Sequence, residues 1–186
     1  MRHTSRGVPR KRALPLGEVY RILEPGPVVL LTTAFRGRNN VMTQSWHTMM
    51  EFEPPLVGCV VSEANHSFEA LQRTRECVIC VPTVELADAV VGCGNSSGRT
   101  VDKFATFGLT AEPGTRVRAP RIAECRADLE CRVVDARLMS RYNFFVMQVL
   151  AAWYRPPREP LRTLHHQGRG RFMVAGRTHK LPSRAK

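Results

Sequence analysis

Apolar positions at Leu16, Val19, Tyr20 and Leu23 form a short helical stripe, which Glu24-Pro25-Gly26-Pro27 closes. Beyond it the pattern turns to β. Residues 28–35 are rich in β-branched and apolar side chains, residues 36–39 read as a turn, and residues 40–46 resume β character, which predicts a hairpin. Pro54-Pro55 breaks the chain, and residues 56–62 predict a third strand. Residues 65–75 predict a short helix, with Asn65 or Ser67 available as N-cap and Phe68 and Leu71 spaced i, i+3. Residues 77–81 read as a fourth strand. Residues 85–91 read as a helix ending at Gly92, residues 92–98 as a loop, and residues 102–107 as another short helix. Long β runs follow at 122–136 and 143–153, and a last short strand at 172–175. Strands dominate, the helices are short and no internal repeat occurs. The expected fold is mainly β: an antiparallel barrel with short inserted helices, not a doubly wound parallel sheet.

Composition then sets limits. The chain has 186 residues, 43% hydrophobic and 24% charged, which excludes disorder and collagen-like repeats. No apolar run approaches the roughly 20 residues that cross a bilayer, and the basic N-terminus lacks an apolar stretch of the secretory type, so the expected location is the cytoplasm. The formal charge of +12 suggests nucleic acid until it is divided along the chain. Residues 1–12 hold five Arg or Lys and no acid, and residues 155–186 hold nine against the single Glu159. The segment between them has 14 basic and 15 acidic residues. A neutral body with basic ends predicts tails at 1–13 and 177–186 flanking one domain at 14–176, with no specific nucleic-acid site. A polyanion-binding role for the ends is the remaining form of that reading. Lysines are scarce, and Lys103 is the only one between Lys11 and Lys180.

Four features could carry chemistry. Cys77-Val78-Ile79-Cys80 has the spacing of a redox or metal pair, but on a strand positions three apart face opposite sides, so buried, reduced cysteines are expected and no metal site. Along Asn40–Trp46 in a strand, Asn40, Met42, Gln44 and Trp46 share one side and Val41, Thr43 and Ser45 the other. Such a segment suits a flat heterocycle, or reads as hairpin hydroxyls with one core tryptophan. Asn65-His66-Ser67-Phe68 at a helix start offers free N–H groups and the positive dipole end to a phosphate, or is an ordinary cap. Asp102-Lys103 would add a point charge beside that phosphate, or is a solvated pair. Gly92-x-Gly94-x-x-x-Gly98 follows a helix where a dinucleotide fingerprint needs a strand, and no nucleophile elbow or zinc motif is present.

Together these segments resemble the flavoredoxin-type members of the flavin reductase-like family, whose fold is the FMN-binding split β-barrel. The matching pieces are residues 40–47 (NVMTQSWH), 52–59 (FEPPLVGC), 65–68 (NHSF), 76–83 (ECVICVPT), 98–110 (GRTVDKFATFGLT), 119–131 (APRIAECRADLEC) and 164–172 (LHHQGRGRF), in order over nearly the whole body. The resemblance implies FMN held non-covalently in a homodimer, with NAD(P)H as co-substrate and a possible redox partner protein. It implies Asn40, Thr43, Ser45 and Trp46 along the isoalloxazine and ribityl chain, and His66, Ser67 and Lys103 at the phosphate. It also brings Phe172 towards the ring and leaves Tyr142 as an altered ligand contact where some members have His. Cys80 stands where the family usually has Asn. Hydride transfer to a flavin requires no side-chain acid or base, so no catalytic residue is assigned. A flavin-binding electron carrier without NAD(P)H turnover is the alternative.

Overall fold

The structure is a computed structural model in which residues 11–19, 26–156 and 161–182 are described. Residues 1–10 of the basic N-terminal end, residues 157–160 and 183–186 of the C-terminal one, and the helical stripe beyond Val19 lie outside the described residues; Leu16–Glu18 form one turn of 3-10 helix. The strands are β1 (Arg12–Ala13), β2 (Val29–Phe35), β3 (Arg38–Gln44), β4 (His47–Phe52), β5 (Pro55–Val60), β6 (Glu76–Val81), β7 (Ala111–Glu112) and β8 (Arg121–Ile122). They continue with β9 (Ala127–Asp135), β10 (Phe144–Tyr154), β11 (Leu164–His166) and β12 (Phe172–Val174). The α-helices are α1 (His66–Thr74), α2 (Ala87–Asn95), α3 (Lys103–Thr106) and α4 (Met139–Tyr142).

The main sheet is antiparallel in the order β3-β2-β6-β9-β10-β5-β4, with β1 added on β10. β3 and β4 stand at opposite ends of this order, yet only Ser45 and Trp46 separate them in sequence. The sheet therefore curls back on itself, as the expected barrel requires. The β2–β3 hairpin turns through Arg36 and Gly37, both at positive φ (51° and 74°), the conformation that matches the twist of two paired strands.

Two buried clusters explain why the strands read as nearly continuous apolar runs. Val29, Leu31, Met42, Cys77, Ile79, Leu129, Phe145 and Met147 fill the interior of the curled sheet. Val28, Leu30, Val41, Val78 and Cys80 face the other way and are covered by Ala89, Val90 and Cys93 of α2, with Leu109, Ile122 and Leu164. Cys77 and Cys80 thus belong to different cores, as strand alternation predicts, and all six cysteines are free and buried. Burial raises the pKa of Cys59 and Cys80 above the ordinary thiol range; at Cys77 a hydrogen bond with Cys131 comes first and burial second.

The structure corrects several expected boundaries. Strand β4 occupies the stretch between Trp46 and Pro54, for which the sequence predicted no element; its side chains are mostly exposed, so it carries little apolar alternation. Helix α2 runs through Gly92 and Gly94 to Asn95, because the Gly92 backbone packs on Phe107, whose ring would lie 2.3 Å from an added Cβ. The 122–136 run is divided into β8 and β9, and α4 is an extra turn before β10. Arg12 and Ala13, read as part of the basic tail, pair with Tyr154 and Trp153. Lys11 is buried beside them: its ammonium donates to the Ile122 carbonyl at 2.6 Å and pairs with the Asp128 carboxylate, the two side chains being 5% and 0% exposed. Among the described residues, no helix is long and apolar enough to cross a membrane.

Candidate functional site

The site begins where α1 starts. Asn65 occupies the N-cap position in extended conformation, but its side chain makes no capping bond, so the first N–H groups of α1 are not satisfied from that side chain. Ser67, 1% exposed, instead accepts a hydrogen bond from Asn40 Nδ2 at 2.8 Å, which ties the helix start to strand β3. The Ser67 hydroxyl proton is left available to a further acceptor. Gly98 lies against this pair: a Cβ there would sit 2.0 Å from Asn40 Oδ1 and 2.8 Å from His66 Cδ2.

Lys103 does not behave as a solvated lysine. It is 5% exposed, and its ammonium donates to the Cys93 carbonyl in the last turn of α2 at 2.7 Å, where the helix dipole favours a cation. Asp102 has a separate task, accepting from Ala105 N–H at 3.2 Å as the cap of α3. Burial pushes the Lys103 pKa down. His66 is also shifted down, first by burial and then by the positive charges of Arg99, Arg38 and Lys103. Lys103 lines a polar cavity of about 200 Å³ together with Asn40, His66, Ser67, Ser96, Ser97 and Gly98, and the charges of Arg99 and Arg38 act on its His66.

A larger cavity of about 440 Å³ adjoins it. One wall is β3 and the segment after it, with Met42, Thr43, Gln44, Ser45 and Trp46; a second is α2, with Val90, Val91, Gly94 and Asn95; a third is the β11–β12 hairpin, with His166, Gly170 and Phe172. Met42, Thr43, Asn65 and Gly94 line both cavities, so the two are parts of one cleft. Thr43 Oγ1 donates to the Val90 carbonyl at 2.5 Å and holds β3 to α2. Gln44 Nε2 donates to the carbonyls of Val60 (2.7 Å) and Trp46 (3.2 Å), bracing the corner at which β3 passes into β4. That bracing leaves Trp46 at the cleft mouth, 70% exposed, where a core tryptophan was the other expectation.

The structure therefore brings Asn40, Thr43, Ser45, Trp46, His66, Ser67, Lys103 and Phe172 to one cleft. Tyr142 lines neither cavity: it lies on α4, 53% exposed, with the Arg141 guanidinium 5.1 Å from its ring centre. Cys80 is fully buried in the second core and also lines neither, so the substitution there does not alter the cleft wall. Asn95 and His166 line the cleft without having been assigned to it from sequence, where Gln44 reads only as a strand position and Gly94 and Gly98 only as part of a weak glycine pattern; the nearness of Gly98 to Asn40, and of the hairpin to β3, depends on long-range packing with no local signature. Among the described residues no cluster of three His, Cys, Asp or Glu could hold a metal ion.

Comparison with known proteins agrees with this geometry. The chain is 30% identical over 179 residues to the uncharacterized protein YddH of Escherichia coli, covering 88% of this chain and 94% of that one. A solved structure described as an FMN-binding domain of a flavin reductases-like enzyme from Shewanella baltica superposes with a TM-score of 0.86 at 25% identity, covering 95% of this chain and all of that one. A flavoredoxin from Methanosarcina acetivorans superposes with a TM-score of 0.74 at 25% identity, covering 85% and 89%. The family described as flavin reductase like domain matches residues 21–173. With that match over most of its length, and with the split-barrel architecture of its FMN-binding neighbours, this chain belongs to the flavin reductase-like family.

Proposed function

We propose that the cleft binds FMN non-covalently and that the protein is an NAD(P)H-dependent flavin oxidoreductase that passes electrons to an acceptor. One observation carries this reading: a small polar cavity with the buried Lys103 in its wall opens into a larger, mostly apolar one. This is the shape required by a ligand with a phosphate at one end and a flat heterocycle at the other. Lys103, Ser67 and His66 with the α1 N-terminus would hold the phosphate. Asn40, Thr43, Ser45 and Trp46 would lie along the ribityl chain and ring, and Phe172 would approach the ring from the hairpin. Bound there, FMN would supply the hydride- and electron-accepting chemistry. The protein's residues orient the ligand, keep water from the apolar part and present fixed dipoles, with no side-chain acid or base required.

The test is direct. FMN added to the flavin-free protein should lose fluorescence in a saturable titration, and NADH or NADPH added without oxygen should bleach the bound flavin's visible band. No uptake of FMN would sink the proposal. Bleaching by neither nucleotide, with FMN bound, would favour a second reading, an electron carrier that exchanges electrons with a redox partner protein. The exposed Trp46 at the cleft mouth and the likeness to a flavoredoxin support that second reading.

The assembly proposed with it is a homodimer in the cytoplasm. Trp46, Met50, Phe52, Leu138 and Tyr142 are large apolar side chains between 42% and 70% exposed, an amount of apolar surface that suits burial against a second copy. Tyr142 would then meet the cleft from the partner. Sedimentation should give about twice the 20.9 kDa chain mass, and a monomer at micromolar concentration would overturn the dimer.

A further inference from the structure

The tip of the β11–β12 hairpin puts two arginines beside the larger cavity. Gly170 lines that cavity, and Arg169 and Arg171, both exposed, flank it in sequence. The tip is a closed turn: Gln167 N–H donates to the Arg171 carbonyl at 2.9 Å, and Arg171 N–H to the Gly168 carbonyl at 3.0 Å. Gly168, Arg169 and Gly170 all have positive φ (85°, 50° and 71°). Gly, Asn or Asp usually fills such positions, so the turn itself gives no reason for an arginine at its apex. The root of the hairpin is fixed to the body. The Leu164 carbonyl accepts from Val28 N–H at 2.7 Å, and the Thr163 carbonyl from Ala175 N–H at 2.8 Å.

These two arginines have no carboxylate to neutralise. Arg118, Arg121, Arg132, Arg137 and Arg162 each pair with an Asp or Glu, whereas among the described residues Arg169 and Arg171 form no ion pair. The chain has no acid from residue 160 to residue 186. No Asp or Glu lines either part of the cleft. The tip is also separate from the cation of the small cavity. His166, Gly170 and Phe172 line only the larger cavity, while Lys103 lines only the small one. The cleft thus has two cationic places, one buried on the Cys93 carbonyl and one on an exposed turn, and a single phosphate in the small cavity uses only the first.

We propose that the hairpin tip, through Arg169 and Arg171, recognises the 2′-phosphate of the nicotinamide nucleotide and makes the protein selective for NADPH over NADH. This rests on the FMN reading above and adds to it the electron donor and the residues that select it. With the nicotinamide ring in the larger cavity, the adenosine half extends past the rim, where the tip stands. A site that selects NADH often presents a carboxylate to the ribose 2′-hydroxyl, and one that selects NADPH an arginine to the 2′-phosphate. Guanidinium groups match phosphate oxygens in a two-bond fork. A phosphate monoester carries between one and two negative charges at neutral pH, and no acid lining the cleft opposes it. The two nucleotides differ in that group alone, so the tip adds to NADPH only what the 2′-phosphate gains.

The experiment titrates NADP+ and NAD+, which cannot reduce the flavin, into the FMN-loaded protein and reads binding by calorimetry. At low ionic strength the wild type should bind NADP+ about ten-fold tighter than NAD+, the gain of one exposed charge-assisted contact. The preference should shrink as salt is raised. The double variant Arg169→Ala with Arg171→Ala should bring the two affinities together by weakening NADP+ alone. Lysine at both positions should keep part of the preference. Arg177→Ala removes a charge beyond the hairpin and should leave the preference intact. FMN affinity, measured separately, should be unchanged in the double variant. If FMN-loaded wild type binds neither nucleotide or shows no preference for NADP+, the assignment is overturned while the FMN reading stands. The same holds if the double variant keeps the preference, if it weakens both nucleotides alike, or if Arg177→Ala removes the preference as fully. If the wild type takes up no FMN, the FMN reading fails and this inference fails with it.

Discussion

Lys103 shows how much one residue's setting matters. Its ammonium is buried on the Cys93 carbonyl and borders the small cavity, so a phosphate there would gain a charge-assisted bond from a donor already held in place. Lys103→Met should weaken FMN by about 1.5–3 kcal/mol, or roughly ten- to a hundred-fold in Kd, in a fluorescence titration, with circular dichroism confirming the fold. His47 offers a different test. Its Nε2 lies 2.7 Å from the Pro27 carbonyl and so carries the proton, while its Nδ1 is buried without a partner. Burial lowers its pKa below 6.5 in the folded chain. A depressed histidine contributes stability that is present above the unfolded value and is lost as pH falls through the folded one. The urea midpoint should therefore drop as pH falls below about 6.5, and His47→Gln should reduce that drop. An equal drop in both proteins would exclude His47 as its source. Neither setting is visible in sequence, where Lys103 stands next to an acid and His47 next to a tryptophan.

Helix α1, strand β3 and the 92–98 segment meet at one point, and Gly98 is the residue that allows it. An added Cβ would displace Asn40, whose amide is held by Ser67, so the clash cannot be relieved without breaking the tie between α1 and β3. Gly98→Ala should cost about 1–3 kcal/mol in thermal or urea unfolding and weaken FMN at least ten-fold. Wild-type FMN affinity in that variant would show that the small cavity is not the phosphate site. The glycines at 92, 94 and 98 looked from sequence like a weak phosphate-loop pattern following a helix. The structure gives two of them a packing reason, Phe107 at Gly92 and Asn40 with His66 at Gly98. Most elements were legible for a local reason: the β2–β3 hairpin from its glycine turn, α1 from its polar start and apolar spacing, β9 and β10 from long β runs. Strand β4 was not, because an edge strand with exposed side chains carries no apolar alternation.

Across the whole molecule, the first described residues act as a strap. β1 pairs with the end of β10, and Lys11 enters a pocket where Asp128, Ile122 and Cys80 meet. Burial raises the Asp128 pKa while Lys11 opposes the rise. Removing one partner leaves the other charge buried and unpaired, which costs about 3–5 kcal/mol in comparable settings. Lys11→Met should therefore lower the unfolding free energy by that order, and Lys11→Met with Asp128→Leu should recover much of the loss. A double variant no better than the single would show that the pair is not the cause. Glu130, fully buried, is the contrasting case: its carboxylate accepts from the Thr115 and Arg116 N–H groups, the Thr115 hydroxyl and the Trp153 indole, and among the described residues it forms no ion pair.

By itself the sequence determined the β-rich class, the order of most elements, the opposite faces of Cys77 and Cys80, and the segments that line the cleft, because periodicity and polar starts of helices are local properties. Only the tertiary structure decided that Lys103 is buried on a carbonyl, that Trp46 is exposed at a mouth, that Tyr142 stands away from the cleft within one chain, and that Lys11 belongs to the fold. It also brought His166, Trp46, Val90 and Asn65 to the lining of one cavity. The physical reason is the same in each case: burial, pairing and exposure depend on which distant strands the curled sheet brings together, and neighbours along the chain do not carry that information.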